Sequence, residues 1–110
     1  MPVFKPDKKT IDLFSAILTV RTPDEAAAFF RDLCTKEELV EMADRWAIAR
    51  LVAAGRPYRE IAARLKTSTT TVSRVAAWLN GDEGGYRLAL SRLGVSAAKH
   101  HHKLLSKKSL

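Results

Sequence analysis

Apolar residues recur at three- and four-residue intervals along most of the chain, the spacing that lines one face of an α-helix. From Thr10 to about Val20, Ile11, Phe14, Ile17 and Leu18 form one such stripe, so an amphipathic helix is expected there. The nine residues before it, with Pro2 and Pro6, read as an extended lead. Thr22-Pro23-Asp24-Glu25 then supplies an N-cap, a proline in the first turn and an acid placed to close a capping box. The helix it starts carries Ala26, Phe29, Phe30 and Leu33. Two neighbouring phenylalanines are more apolar surface than a short helix hides alone, and they need cover from elsewhere in the fold or from a second chain. Thr35-Lys36-Glu37-Glu38 repeats the capping logic and opens the longest helix, running to about Ala54 and stopped by Gly55. Its Leu39, Val40, Met42, Ala43, Trp46, Ile48, Leu51 and Val52 cover more than one face, the mark of a central helix. Within it Glu41 stands four residues before Arg45, the spacing of a surface ion pair.

The stretch from Gly55 to Leu79, GRPYREIAARLKTSTTTVSRVAAWL, changes the picture from a helical domain to one with a candidate function. Ile61, Ala62 and Leu65 share one stripe, and Val72, Val75 and Leu79 share another. Between them Lys66-Thr67-Ser68 suffices for a turn and is too short for a loop. Two short helices joined in this way form a helix-turn-helix, whose second helix enters the DNA major groove. The outward face of that helix holds Ser68, Thr69, Thr70, Ser73 and Arg74. Hydroxyls donate to or accept from base edges and phosphates, threonine methyls meet thymine methyls, and Arg74 adds charge or a bidentate fork. The bland alternative is a helical hairpin with a Ser/Thr-rich cap. One residue disagrees with the motif: Lys66 stands where glycine eases a left-handed turn, so a different turn geometry is expected.

After Leu79, Asn80-Gly81-Asp82-Glu83-Gly84-Gly85 is a loop by composition. A last short helix follows, with Tyr86, Ala89, Leu90 and Leu93 on its inward side and Gly94 as its stop. Valine and isoleucine are dispersed at helical spacing and no hairpin signal occurs. The pattern predicts an all-α fold of about six helices. Residues 1–94 are expected to form one helical domain, with the helix-turn-helix at about 57–79, and 95–110 a basic, flexible tail.

Charge narrows the partners. A formal +7 and a pI near 9.9 favour a polyanion. Part of the excess lies in the tail, at Lys99, Lys103, Lys107 and Lys108, where it adds salt-sensitive phosphate contacts at most. His100, His101 and His102 lack a partner cluster and are poor metal ligands, so no metal is expected. No apolar run approaches the roughly 20 residues of a membrane span, and the N-terminus has no secretory core. The lone Cys34 suits a reducing cytoplasm and reads as a small core residue rather than a nucleophile.

The ordered motifs FFRDLCTKEEL (29–39), GRPYREIAARL (55–65), STTTVSRV (68–75) and LNGDEGGYRLAL (79–90) resemble the Trp-repressor-like proteins, especially their YerC/YecD branch. The resemblance spans roughly Ile11 to Leu93. It implies a bacterial transcriptional regulator, a repressor by its family, that forms an intertwined homodimer through helices outside the DNA-binding hairpin. Phe29 and Phe30 would find cover there. It also places Arg59 and the Thr69, Thr70 and Ser73 face near the operator. A guanidinium reading guanine is the commonest specific contact, although a helix-start arginine is equally at home in solvent. The resemblance further implies half-sites about one helical turn apart, a spacing for which the Trp repressor is itself a standard example.

In tryptophan-responsive members the amino acid lies between the central and recognition helices, flanked by two arginines with a threonine nearby. Arg45, Arg74 and Thr35 match those positions. Two small residues of that pocket, a glycine and a serine, correspond to Val75 and Trp78. Valine takes space from a bound indole, and Trp78 is expected to fill part of the cavity itself. L-tryptophan is therefore not expected as a corepressor, and no other cofactor is implied. The expected function is sequence-specific binding of double-stranded DNA as a homodimer in the cytoplasm, on the nucleoid. The alternative is a helical module binding a protein partner. Enzymatic function has no motif behind it: paired acids such as Glu37 and Glu38 are accounted for by capping.

Overall fold

A computed structural model describes residues 4–94, which form six α-helices and no strand. They are α1 (Lys8–Ile17), α2 (Pro23–Leu33), α3 (Lys36–Ala53), α4 (Tyr58–Leu65), α5 (Thr69–Leu79) and α6 (Gly85–Arg92). The Lys- and His-bearing tail lies outside the described residues. Packing separates two compact units, one up to Ala43 and one from Asp44, with α3 contributing to both.

In the first unit, α1 begins earlier than the proline content suggests. Asp7 is its N-cap and accepts from the Thr10 amide at 2.9 Å, so Lys8 and Lys9 are already helical. Hydrogen bonds from Thr10 hold the Asp7 carboxyl below the usual aspartate range. The helix ends at Ile17, short of Val20, where the Thr19 hydroxyl donates back to Ala16 O at 2.7 Å. The caps of α2 and α3 follow their sequence signals. Thr22 Oγ1 accepts from Glu25 N, while Glu25 Oε1 accepts from Arg21 N at 2.8 Å. Thr35 and Glu38 close a reciprocal box, with bonds of 2.9 and 3.0 Å. Phe29 and Phe30 meet edge to face, their centroids 5.4 Å apart. No residue of α1 or α2 is buried, and Leu18 is 83% and Val40 58% exposed. Cys34 corrects its expected place in a core: it is half-buried, the C-cap of α2, and its carbonyl accepts from Arg31 Nη1.

The second unit carries the core. Ile48 and Ala49 of α3, Ile61 and Ala62 of α4, and Val72 and Val75 of α5 bury together, ringed by Trp46, Leu51, Val52, Leu65 and Tyr86. Of α3, therefore, only Ile48 and Ala49 are buried, although its apolar residues suggested a helix enclosed on two sides. Leu79 and Leu90 form a second buried pair where α5 meets α6. Each fully buried aliphatic side chain contributes about 1.5–3 kcal/mol. Among the described residues no polar or charged side chain is buried. Leu93, expected on the inward side of α6, is instead its C-cap and 58% exposed; the helix ends before that residue is brought onto the core.

The turn between α4 and α5 overturns one expectation. Lys66 does adopt the left-handed conformation (φ 55°, ψ 49°), as the glycine of the motif would. Its amide bonds to Ala63 O and that of Thr67 to Ala62 O at 2.9 Å, the paired bonds of a Schellman ending. These satisfy the last carbonyls of α4 and outweigh a side-chain penalty of about 1 kcal/mol. Gly55 ends α3 in the same way, with Arg56 N donating to Leu51 O. Lys66→Gly should therefore stabilise the chain by about 0.5–1 kcal/mol, the relieved strain less the added freedom of the unfolded glycine. A urea melt at fixed protein concentration measures this as a raised midpoint with unchanged slope.

Candidate nucleic-acid interface

The buried residues of α5, Val72, Val75, Ala76 and Leu79, occupy one side of the helix. At 100° per residue, Thr70 and Ala77 lie opposite them, with Ser73 and Arg74 to either side and Thr69 at the leading edge. All five are exposed. The core packing thus dictates which face the helix presents, and that face carries hydroxyls, methyls and one guanidinium. No carboxylate occurs between Glu60 and Asp82.

Ser68, expected on the DNA-facing side, has a structural task within the motif. It is the N-cap of α5: its Oγ accepts from Thr71 N at 3.1 Å and lies 3.0 Å from Thr71 Oγ1. Both hydroxyls serve the first turn of the helix, while Thr69, Thr70 and Ser73 carry hydroxyls along the open face beyond the cap. Arg59 is exposed on α4. Two further exposed cations of the motif, Arg64 near the end of α4 and Lys66 in the turn, were not among the expected contacts. Arg64 lies on the polar side of the α4 helical wheel. Arg56 pairs with Glu60 at 3.3 Å, an exposed contact worth little in water. From 56 to 80 the chain holds five cations against that one carboxylate, so the motif is positive as a whole.

Two of the residues matched to an effector pocket share a groove wall. Arg45 and Trp78 border a shallow groove of about 480 Å³, with Ala77, Gly81 and Tyr86 among its other walls. Val75 lies in the core at 1% exposure, and Arg74 stands outside the groove lining. Thr35 belongs to the first unit, where its hydroxyl caps α3. Trp78, expected to fill part of the cavity, lines this groove with half of its surface exposed. Trp46, not Trp78, carries the aromatic contact nearby, tilted against Tyr86 with centroids 6.1 Å apart. Among the described residues no group of His, Cys, Asp and Glu is arranged to hold a metal.

Residues 8–94 match the family model described as Trp repressor protein. The chain belongs to that family. It is 37% identical over 86 residues to the uncharacterized protein YerC of Bacillus subtilis (strain 168), covering 78% of this chain and 83% of that one. A TrpR-like protein from Eubacterium eligens ATCC 27750 superposes with a TM-score of 0.76 at 37% identity, over 82% of this chain and 93% of its own. A proposed Trp repressor from Staphylococcus aureus gives 0.77 at 32% identity, over 84% and 92%. The Trp repressor family is one of regulators rather than enzymes, and its all-helical fold is the one described here. Among the described residues no helix is long and apolar enough to cross a membrane.

Proposed function

We propose that this Trp repressor family member is a sequence-specific, double-stranded-DNA-binding transcriptional regulator. It acts as a homodimeric repressor on the nucleoid and performs no catalysis. The observation that carries the reading is the open face of α5, free of carboxylates and held outward by a buried Val72–Val75 side. In such a motif Thr69, Thr70 and Ser73 meet base edges, while Arg59 and Arg74 supply base or phosphate contacts. The homodimer is supported by α1 and α2 of the first unit, none of whose residues is fully buried within one chain. A second copy covers such surface at little cost in polar desolvation.

Arg74→Ala should weaken binding to a specific duplex by about 1–3 kcal/mol and flatten the salt dependence by about one counterion. Arg92→Ala, which removes the same charge from α6, should leave binding nearly unchanged. A gel-shift series at two salt concentrations measures both; equal effects would take Arg74 off the DNA face.

The regulator works without free L-tryptophan. Val75 is committed to the core, and Arg74 does not line the groove beside Trp78. Calorimetric titration with L-tryptophan should show no binding heat, and micromolar affinity would contradict this.

A further inference from the structure

The carboxyl end of α5 is held from outside the helix. Asn80 Nδ2 donates to Ala76 O at 2.9 Å, and Arg87 Nη1, reaching back from α6, donates to Leu79 O at 2.5 Å. Both bonds are partly buried. The last carbonyls of a helix lack intrahelical partners and carry the negative end of its dipole, so a guanidinium matches them in charge and in hydrogen bonding. Gly84 sets the return path. It is left-handed at φ 76°, and a Cβ there would stand 3.3 Å from Arg87 Nη2. Beneath the bond, Leu79 and Leu90 pack with Tyr86 and Val52. That apolar contact resists separation of α5 and α6 but is non-directional, whereas a charge-assisted hydrogen bond also fixes angle.

We propose that Arg87 is a positioning residue for base recognition, an assignment that rests on the DNA-binding reading above. By pinning the Leu79 carbonyl it sets the axis of α5, and so the register in which Thr69, Thr70 and Ser73 meet base edges. The helix has 11 residues and is about 16 Å long, so a tilt at its carboxyl end becomes a displacement at its amino end. Hydrogen bonds to bases fail within a few tenths of an ångström, while attraction to phosphate tolerates such shifts. Loss of Arg87 therefore costs discrimination between sequences more than it costs affinity for DNA in general.

The test uses the full chain, a duplex selected from a random pool and a scrambled duplex of equal length. Arg87→Ala should lower the ratio of specific to non-specific affinity about tenfold, while Arg92→Ala leaves that ratio unchanged. Arg87→Lys, whose ammonium still donates to a carbonyl, should restore most of the ratio. Hydrogen exchange should show faster exchange in the last turn of α5 in Arg87→Ala, with α4 unaltered. An unchanged ratio, or an unchanged last turn, overturns the proposal. If wild-type chain does not distinguish the duplexes while last-turn exchange still rises in Arg87→Ala, the DNA-binding reading has failed and takes this assignment with it. Should Arg87→Ala lose helix content, Arg87→Met, which keeps the aliphatic stem and removes only the donors, carries the test: a loss of ratio like that of Arg87→Ala is expected, and full discrimination overturns it.

Discussion

The burial of Val72 and Val75 against Ile61, Ala62, Ile48 and Ala49 is the contact on which the remaining structure depends. It joins α3, α4 and α5 into one core, and it fixes the rotation of α5 about its own axis. With the valines inward, Thr70 and Ser73 have no choice but to face water. Ala62 matters for the same reason, since a small residue lets α4 and α5 approach closely at their crossing. A larger side chain there would push the helices apart and cost the packing of all six residues.

Polar groups refine what the core sets. Ser68 and Thr71 order the amino end of α5, and Asn80 and Arg87 order its carboxyl end. The helix offered to solvent is thus capped at both ends by neighbours, which leaves its outward side chains free for another molecule. The first unit follows the opposite principle. Its helices are well capped by Asp7, Thr22 and Thr35, yet α1 and α2 bury none of their own residues. Local hydrogen bonding makes these helices, and only packing against further apolar surface could bury their stripes.

Much of this was legible in the residues alone. Helix order, the Thr22 and Thr35 caps, the stop at Gly55 and the buried face of α5 all follow from local rules acting within about four residues. Membership of the Trp repressor family was legible too, because several motifs in fixed order are more specific than one. What escaped had other causes. The left-handed Lys66 is favoured by two backbone hydrogen bonds that composition does not display. Ser68 offers the same hydroxyl to a base edge or to a helix end, and its hydrogen bond to Thr71 N appears only in the chain geometry. The exposure of Trp78 and the place of Arg74 outside the neighbouring groove depend on how side chains settle. Arg87 reaches a carbonyl eight residues back across a loop, where no periodicity points.

In the proposed function, paired copies of this chain present the open face of α5 to successive turns of duplex DNA. Selection of bound sequences from a random duplex pool tests it most directly. Enrichment of a two-fold symmetric site with half-site centres about 10–10.5 bp apart is expected. A pool that stays random after repeated rounds, or a single asymmetric site bound by one copy, would contradict it.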